Sequence, residues 1–494
     1  MGYILSIDQG TTGTTSLLID AKTFRLKGKK NQEFPQIFPK PGLVEHNLND
    51  IWASVEQTIE SLLKAENVQA EDIVAIGITN QRETICAFDK TGRPLANAIV
   101  WQDRRTSDFC DSLKSQEDFI KEKTGLPIDP YFSGTKMKWL LENSDKVKSA
   151  AKSGDLLFGT IETYLLYRLT GCQSYCTEGS NASRTLLMNL KTCQWDEKLL
   201  ELFHINKNTL PEIKDSFGHF GKTSGLSFLP NGIPITGILG DQQAALFGQA
   251  GYQTGDMKCT YGTGAFMLLN TGDTIKKSEY GLLSTVAYVD KGKAIYALEG
   301  SCYIAGAAVQ WLRDNLQIIG KALEVEALAL EVGDLDEMEH ILFFPFFTGI
   351  GSPYWNANAK AAIIGLTRDS GRPHMARACL DGIALSINDL IESMRRDAKL
   401  EISELKVDGG ATNNNLLLNI QASVSGLTMI RPKILETTGY GAALAAAVGA
   451  KLISMDKIAE LWEKDKEFIP KDSWTPFYER KVIQWKKIIK KLFL

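Results

Sequence analysis

Little in this chain points toward nucleic acid, a membrane or a metal centre. The net charge is −4, so there is no basic surplus for a polyanion. No apolar stretch reaches the length needed to span a bilayer, which excludes an integral membrane segment. The amino terminus, MGYILSID, has neither a basic n-region nor a cleavage site, so a secretory signal is not expected. It matches a myristoylation pattern, but Gly2 to Ser6 run directly into an apolar strand and are expected to stay there. Histidine is scarce: the five residues, at 46, 204, 219, 340 and 374, form no HExxH and no local cluster. The eight cysteines are scattered, and the close pair Cys172 and Cys176 lacks partners to complete a zinc site. Free thiols in a reducing compartment follow, and the expectation is a cytoplasmic enzyme.

What is present is alternation. The 494 residues exceed what one hydrophobic core usually serves, so two domains are expected. Strand and helix patterns alternate throughout, which indicates an α/β architecture. Ile51, Val55, Ile59, Leu62 and Leu63 recur at helical spacing behind Asn49 and Asp50, predicting a helix over 48–66. Residues 72–79 (DIVAIGIT) read as a buried strand, with short strands at 84–88 and 98–101. Residues 137–151 and 155–169 read as helices. The Gly-rich stretch GQAGYQTGDM near 250 marks the boundary between domains 1–250 and 251–494. The halves echo each other weakly, with small-residue turns after Asp8 and after Tyr261. Residues 480–494 read as a basic amphipathic helix, docked on its own domain or resting on a membrane surface.

Four segments carry chemistry. SIDQGTTGTT (6–15) reads as the turn of a β-hairpin. Gly10 and Gly13 let backbone amides approach an anion, and Thr11, Thr12 and Thr14 add hydroxyls. Such a turn suits nucleotide phosphates, and Asp8 at the strand end can hold hydrated Mg²⁺ through water. In GILGDQQAALFG (237–248), Asp241 opens a helix after an apolar strand. There it serves equally as a helix cap or as a base accepting a hydroxyl proton during phosphoryl transfer. In NQRET (80–84), Arg82 and Glu83 offer donors and an acceptor to a polyol, with Trp101, Tyr131 and Phe266 as packing surfaces for its carbons. In VDGGATNN (407–414), Gly409 and Gly410 permit close backbone approach, and Asn414 can bond a base. SFGHFGKTS (216–224) imitates a phosphate loop, but its first glycine position is Ser216 and no helix pattern follows.

Taken together these segments resemble the glycerol-phosphorylating branch of the FGGY carbohydrate kinase family, in the actin-like (ribonuclease-H-like) ATPase superfamily. The resemblance extends from Ile4 to about Trp485. It is strongest in GITNQRET, AIVWQDRRT, IDPYFSGTKMKW, NASRTL, GDQQAALFGQ, TYGTGAFML, GSPYWNANAKAAIIGLTR and VDGGATNN. It implies two actin-like domains with a nucleotide- and substrate-binding cleft between them. It implies ATP-dependent phosphorylation of glycerol to sn-glycerol 3-phosphate, with ATP and Mg²⁺ required. Asp241 would be the general base, and Arg82, Glu83, Trp101, Tyr131, Asp241, Gln242 and Phe266 would bind glycerol. Nucleotide contacts would fall on Thr11, Thr12, Gly13, Thr14, Thr263, Gly306, Gln310, Gly410 and Asn414, with Asp8 on the metal side. A homo-oligomer, dimer or tetramer, is the family's habit.

Two departures follow from the same comparison. The family's first turn usually ends in an Arg near the phosphates; this chain has Thr15, which removes one contact. The loop LSFLPNGIPITG (226–237) lacks both the Arg that binds fructose 1,6-bisphosphate in some members and the His phosphorylated in others. Neither form of regulation is expected. The rival readings are a kinase of a larger polyol or ketose from the same family, and an actin-like mechanical ATPase.

Overall fold

The amino-terminal hairpin forms where the sequence places it. In the computed structural model, which describes residues 2–494, strand Tyr3–Gln9 returns as Gly13–Asp20, with Asp8 opposite Thr15. Strand Ile73–Asn80 runs parallel to Tyr3–Gln9 and sets Thr79 beside Asp8. Strand Pro234–Gly240 lies parallel on its far side and sets Gly240 beside Asn80. Asp8, the segment after Asn80 and Asp241 therefore leave one edge of the sheet, at the carboxyl ends of three parallel strands. That is where ligands bind in α/β sheets.

A second sheet repeats this plan. Its hairpin is Met257–Tyr261 and Ala265–Gly272, and Glu404–Asp408 runs parallel to the first of these with Asp408 beside Thr260. From Leu26–Glu33 to Phe217–Lys222 the first sheet pairs antiparallel, antiparallel, parallel, parallel, antiparallel. From Lys293–Cys302 to Lys464–Phe468 the second sheet runs through the same five senses. The faint sequence echo is a full topological repeat. Even the turns match: the Gly10 amide donates to the Gly13 carbonyl and the Gly262 amide to the Gly264 carbonyl, both at 2.9 Å.

Helix Leu48–Glu66 is capped by Asn47 and stopped by Asn67 in the left-handed conformation, and it buries the predicted apolar stripe against the first sheet. The opposite face of that sheet is covered by Thr437–Gly449, a helix from late in the chain. Small residues permit the approach. A Cβ on Gly77 would sit 2.1 Å from the Ala442 carbonyl oxygen, and, against the neighbouring helix Asp241–Gly248, one on Gly441 would sit 1.8 Å from that of Ala244.

Two expectations need correction. Residues 137–151 do not form one helix: Ser133–Asn143 ends, and Ser144 caps a new helix, Asp145–Ser153. A residue that bonds its own backbone favours such a restart. Residues 155–169 are half strand, because Leu156–Thr160 pairs with Ile85–Asp89 before the helix Ile161–Leu169 begins. The apolar run supports either structure, and sheet pairing decides it. The phosphate-loop imitation is strand Phe217–Lys222. The terminal helix Thr475–Leu492 docks on its own half, with Trp485 fully buried and stacked on Phe344 at 4.4 Å. Among the described residues no helix is long and apolar enough to cross a membrane.

Candidate active site

Each residue of NQRET has a different task. The Gln81 side-chain amide donates to Gln9 Oε1 at 3.1 Å and to the Gly10 carbonyl at 3.0 Å, bracing the first turn. The Thr84 hydroxyl donates to Gln81 Oε1 and accepts the Trp101 backbone amide. Between them the chain doubles back, with Glu83 at φ +60° and the Thr84 amide on the Arg82 carbonyl at 2.7 Å. A non-glycine residue there carries strain of about 1–3 kcal/mol. The kink sends Arg82 and Glu83 to different partners.

Arg82 and Glu83 do not pair with each other. Arg82 makes a two-pronged contact with Glu299, at 2.6 and 2.8 Å, and also donates to Gln243. Its Nε lies 2.9 Å from Asp241 Oδ1, off the line of the N–H, so that contact is one of charge. Glu83 accepts from Arg184 at 2.6 Å, and Arg184 reaches Glu299 at 3.2 Å. Burial opposes the charges, yet Arg184 and Arg82 pull the Glu299 carboxyl down to about 2. Burial also works against the Arg82 cation, and Glu299, Glu83 and Asp241 overcome it. Burial dominates at Glu83 and raises its pKa. Arg184 Nη1 has no hydrogen-bond partner; the guanidinium lies 5.6 Å from the Tyr131 ring and 5.4 Å from Phe132, which offer cation–π contact instead. In this group Asp241 is the most open to the cleft, with 29% of its side chain exposed against 2% for Arg82 and Glu83 and 0% for Glu299.

The three aromatic side chains come together. Trp101 meets Tyr131 edge-on at 5.6 Å and Phe266 at 6.3 Å, and its indole N–H donates to Thr11 Oγ1 at 3.0 Å. Trp101 thus ties the first turn to the second hairpin. Gln242 is buried, and its amide donates to Asp241 Oδ2 at 3.2 Å. Gly240 holds the cap position, and Asp241 in the first turn accepts the Gln242 backbone amide at 2.7 Å while its carboxylate also lies beside Arg82.

At the other end lies a pocket of about 230 Å³. Thr263, Gly306, Gln310, Gly410 and Asn414 all line it, with Val309, Leu323, Ile383 and Leu417 as apolar walls. The Gly306 amide donates to the Gly262 carbonyl at 2.9 Å, so turn and helix start are joined. Gly409, at φ +90°, packs its Cα edge on the Tyr261 backbone, where a Cβ would come within 2.6 Å. Asn414 has a second duty: its side-chain oxygen caps the helix Asn415–Ser425, leaving the amide N–H groups for a ligand. Thr11, Thr12 and Gly13 form the first turn, outside this pocket, and Thr12 is exposed. Thr14 corrects the sequence reading. Its hydroxyl is buried against Ser54 at 2.7 Å, so only its backbone can serve a phosphate. Thr15 accepts from the Asn31 amide.

Burial, and next the Asp241 charge, raise the Asp8 pKa to about 7. Two carboxylates that repel across a cleft suit a divalent cation, and Mg²⁺ commonly takes one or two carboxylates plus substrate phosphates. The donor set fits. Among the described residues no group of three or more His, Cys, Asp or Glu is arranged for an all-protein metal site. Arg184 and Glu299 escaped sequence reading, although Glu299 gave a signal: an ionisable residue in the middle of a buried strand, Lys293–Cys302.

Two matching sheets joined by a cleft, with backbone turns at one end and a ringed carboxylate at the other, define an actin-like, ribonuclease-H-like phosphotransferase. Residues 3–248 match the FGGY family of carbohydrate kinases, N-terminal domain, and residues 257–450 match its C-terminal domain. The chain belongs to this family. It is 46% identical to a glycerol kinase of Staphylococcus haemolyticus over 99% of this chain and 97% of that one. It is 47% identical to one of Myxococcus xanthus over 99% of each. The Plasmodium falciparum glycerol kinase with ADP superposes with a TM-score of 0.90 at 35% identity, covering 100% of this chain and 99% of that one. A xylulose kinase of Lactobacillus acidophilus, at 22% identity and TM-score 0.88, covering 100% and 98%, shares the fold.

Proposed function

We propose that this protein transfers the γ-phosphoryl group of ATP to a terminal hydroxyl of glycerol, giving sn-glycerol 3-phosphate. The observation that carries the reading is the floor of the cleft. One solvent-facing carboxylate, Asp241, stands beside a fixed guanidinium and an aromatic wall, and full-length relatives near 46% identity carry the name glycerol kinase. Arg82 and Glu83 hold hydroxyls as donor and acceptor, and Gln242 adds an N–H. Trp101, Tyr131 and Phe266 enclose the carbons. Thr11, Thr12, Gly13 and the Thr14 backbone face the phosphates, while Thr263, Gly306, Gln310, Gly410 and Asn414 hold the nucleoside end.

Asp241 accepts the hydroxyl proton as the oxygen attacks phosphorus in line. Catalysis rests on positioning and charge stabilisation. Mg²⁺ at Asp8 would neutralise phosphate charge when bound. Arg82 keeps Asp241 aimed, and closure of the halves excludes water. We divide the chain at residue 250, into 1–250 with the alcohol site and 251–494 with the nucleotide pocket. A cytoplasmic location, which eight free cysteines suit, completes the reading, with a homo-oligomer carried over from the family resemblance.

The test is ADP release from Mg-ATP with glycerol, dihydroxyacetone, erythritol, xylulose or gluconate. Glycerol-dependent turnover is expected. Turnover only with a larger sugar would replace the substrate, and hydrolysis indifferent to all of them would favour a mechanical ATPase.

A further inference from the structure

Lys258 sits on Met257–Tyr261, the first strand of the second sheet, and is fully buried. Burial depresses its pKa, and the carboxylates of Asp408 and Asp241 oppose that shift. Its three N–H groups have three acceptors: Gln242 Oε1 at 2.6 Å, Thr260 Oγ1 at 2.9 Å and the Phe266 carbonyl at 3.4 Å. Every acceptor borders the cleft. Gln242 follows Asp241, Thr260 precedes the second turn, and Phe266 belongs to the aromatic wall. A buried ammonium is costly, and a well-packed apolar side chain would fill the same space without that cost.

The chemistry of the ammonium limits what Gln242 can do. Lysine only donates, so the Gln242 amide must turn its oxygen toward Lys258. The amide nitrogen then faces Asp241 Oδ2, where it donates. If the amide flipped, two oxygens would face each other and Asp241 Oδ2 would lose its donor, leaving the carboxylate held only through Oδ1, by the Gln242 backbone amide at 2.7 Å and beside Arg82. We infer that Lys258 is a positioning residue for phosphoryl transfer, acting through the Gln242 amide to hold the Asp241 carboxylate. As a consequence Gln242 presents an N–H, and no acceptor, to the alcohol. The inference rests on the roles proposed above for Asp241 and Gln242.

A double-mutant cycle tests it, using Lys258→Met, Gln242→Leu and the pair, with kcat and both KM values measured for each. Wild-type turnover is measured first; the cycle uses glycerol, or whichever alcohol the enzyme turns over. Loss of glycerol turnover in the wild type overturns the substrate reading and leaves the cycle to run on the alternative. Lys258→Met should lower kcat about 10- to 100-fold, the scale of small misplacements at a reacting centre, with KM for ATP within about twofold. The pair should be no slower than Gln242→Leu alone, because one residue works through the other. Losses that multiply, or a matching rise in KM for ATP, overturn the inference while wild-type turnover stands. If Lys258→Met loses its melting transition, Lys258→Gln, which keeps an N–H for Gln242, carries the cycle. Its kcat should recover toward wild type, and failure to recover with an intact fold counts against the inference.

Discussion

The two ends of the cleft are built on opposite plans. The end proposed for the alcohol is crowded with buried charge: Arg82, Arg184, Glu83 and Glu299 interlock from separate parts of the chain. The end proposed for the nucleotide is lined by glycines, small polar groups and aliphatic walls. Its one carboxylate, Glu326, is already taken by the amides of Asn415 and Leu416. The difference fits the ligands proposed for the two ends. A nucleotide brings its own charge, and backbone amides suffice to meet it. A small neutral alcohol brings none, so the protein must supply charge and fix it in place.

Breaking the alcohol end should be the more damaging. Asp241→Asn should lower kcat roughly 10²–10⁴-fold with the fold intact, read by coupled ADP release and circular dichroism. Near-normal turnover would remove Asp241 from its role. Glu299→Gln leaves two buried guanidinium groups undercompensated and should cost about 3–5 kcal/mol in denaturant unfolding, while ADP titration of the folded fraction stays normal. Loss of ADP affinity would show that the two ends are not separable. Gly306→Val tests the other plan: a Cβ there meets the Gly262 carbonyl oxygen at 2.6 Å. A strain of about 1–3 kcal/mol should raise KM for ATP roughly tenfold and leave the KM for glycerol alone.

The smallest effect concerns Asp8. Its pKa stands at 3.8 when unfolded and about 7 in the fold. Between those values the native state keeps a proton that the unfolded chain releases, so stability falls as pH rises through the window. Asp8→Asn does not titrate. Its melting temperature should exceed wild type by about 2 °C or more at pH 8, and the gap should close near pH 4. A pH-independent gap would mean that Asp8 is not perturbed by burial and Asp241.

What the sequence revealed was local. The turn after Asp8, the NQRET segment and the Asp241 helix start each sit within a dozen residues, and hairpin or helix geometry converts that spacing into a site. What it concealed was pairing over distance. Arg82 and Glu299 are 217 positions apart, and Glu83 and Arg184 are 101 apart, so local spacing holds no sign of either pairing. Thr14 was misread for a related reason. Its neighbours Thr11 and Thr12 sit in the turn, but alternation along a strand turns the Thr14 hydroxyl inward to Ser54.

The helix Thr437–Gly449 has a consequence for biosynthesis. A nascent chain that has just cleared residue 250 holds every strand of the first sheet, yet one face of that sheet is bare. Gly77, Gly237 and Gly248 are shaped for a backbone that has not been translated. The amino-terminal half therefore finishes folding only as the chain nears completion, and until then it presents an apolar, small-residue face to other chains. Severed at residue 250, that half should be sticky in isolation and should recover solubility when a fragment carrying residues 251–494 is supplied alongside it.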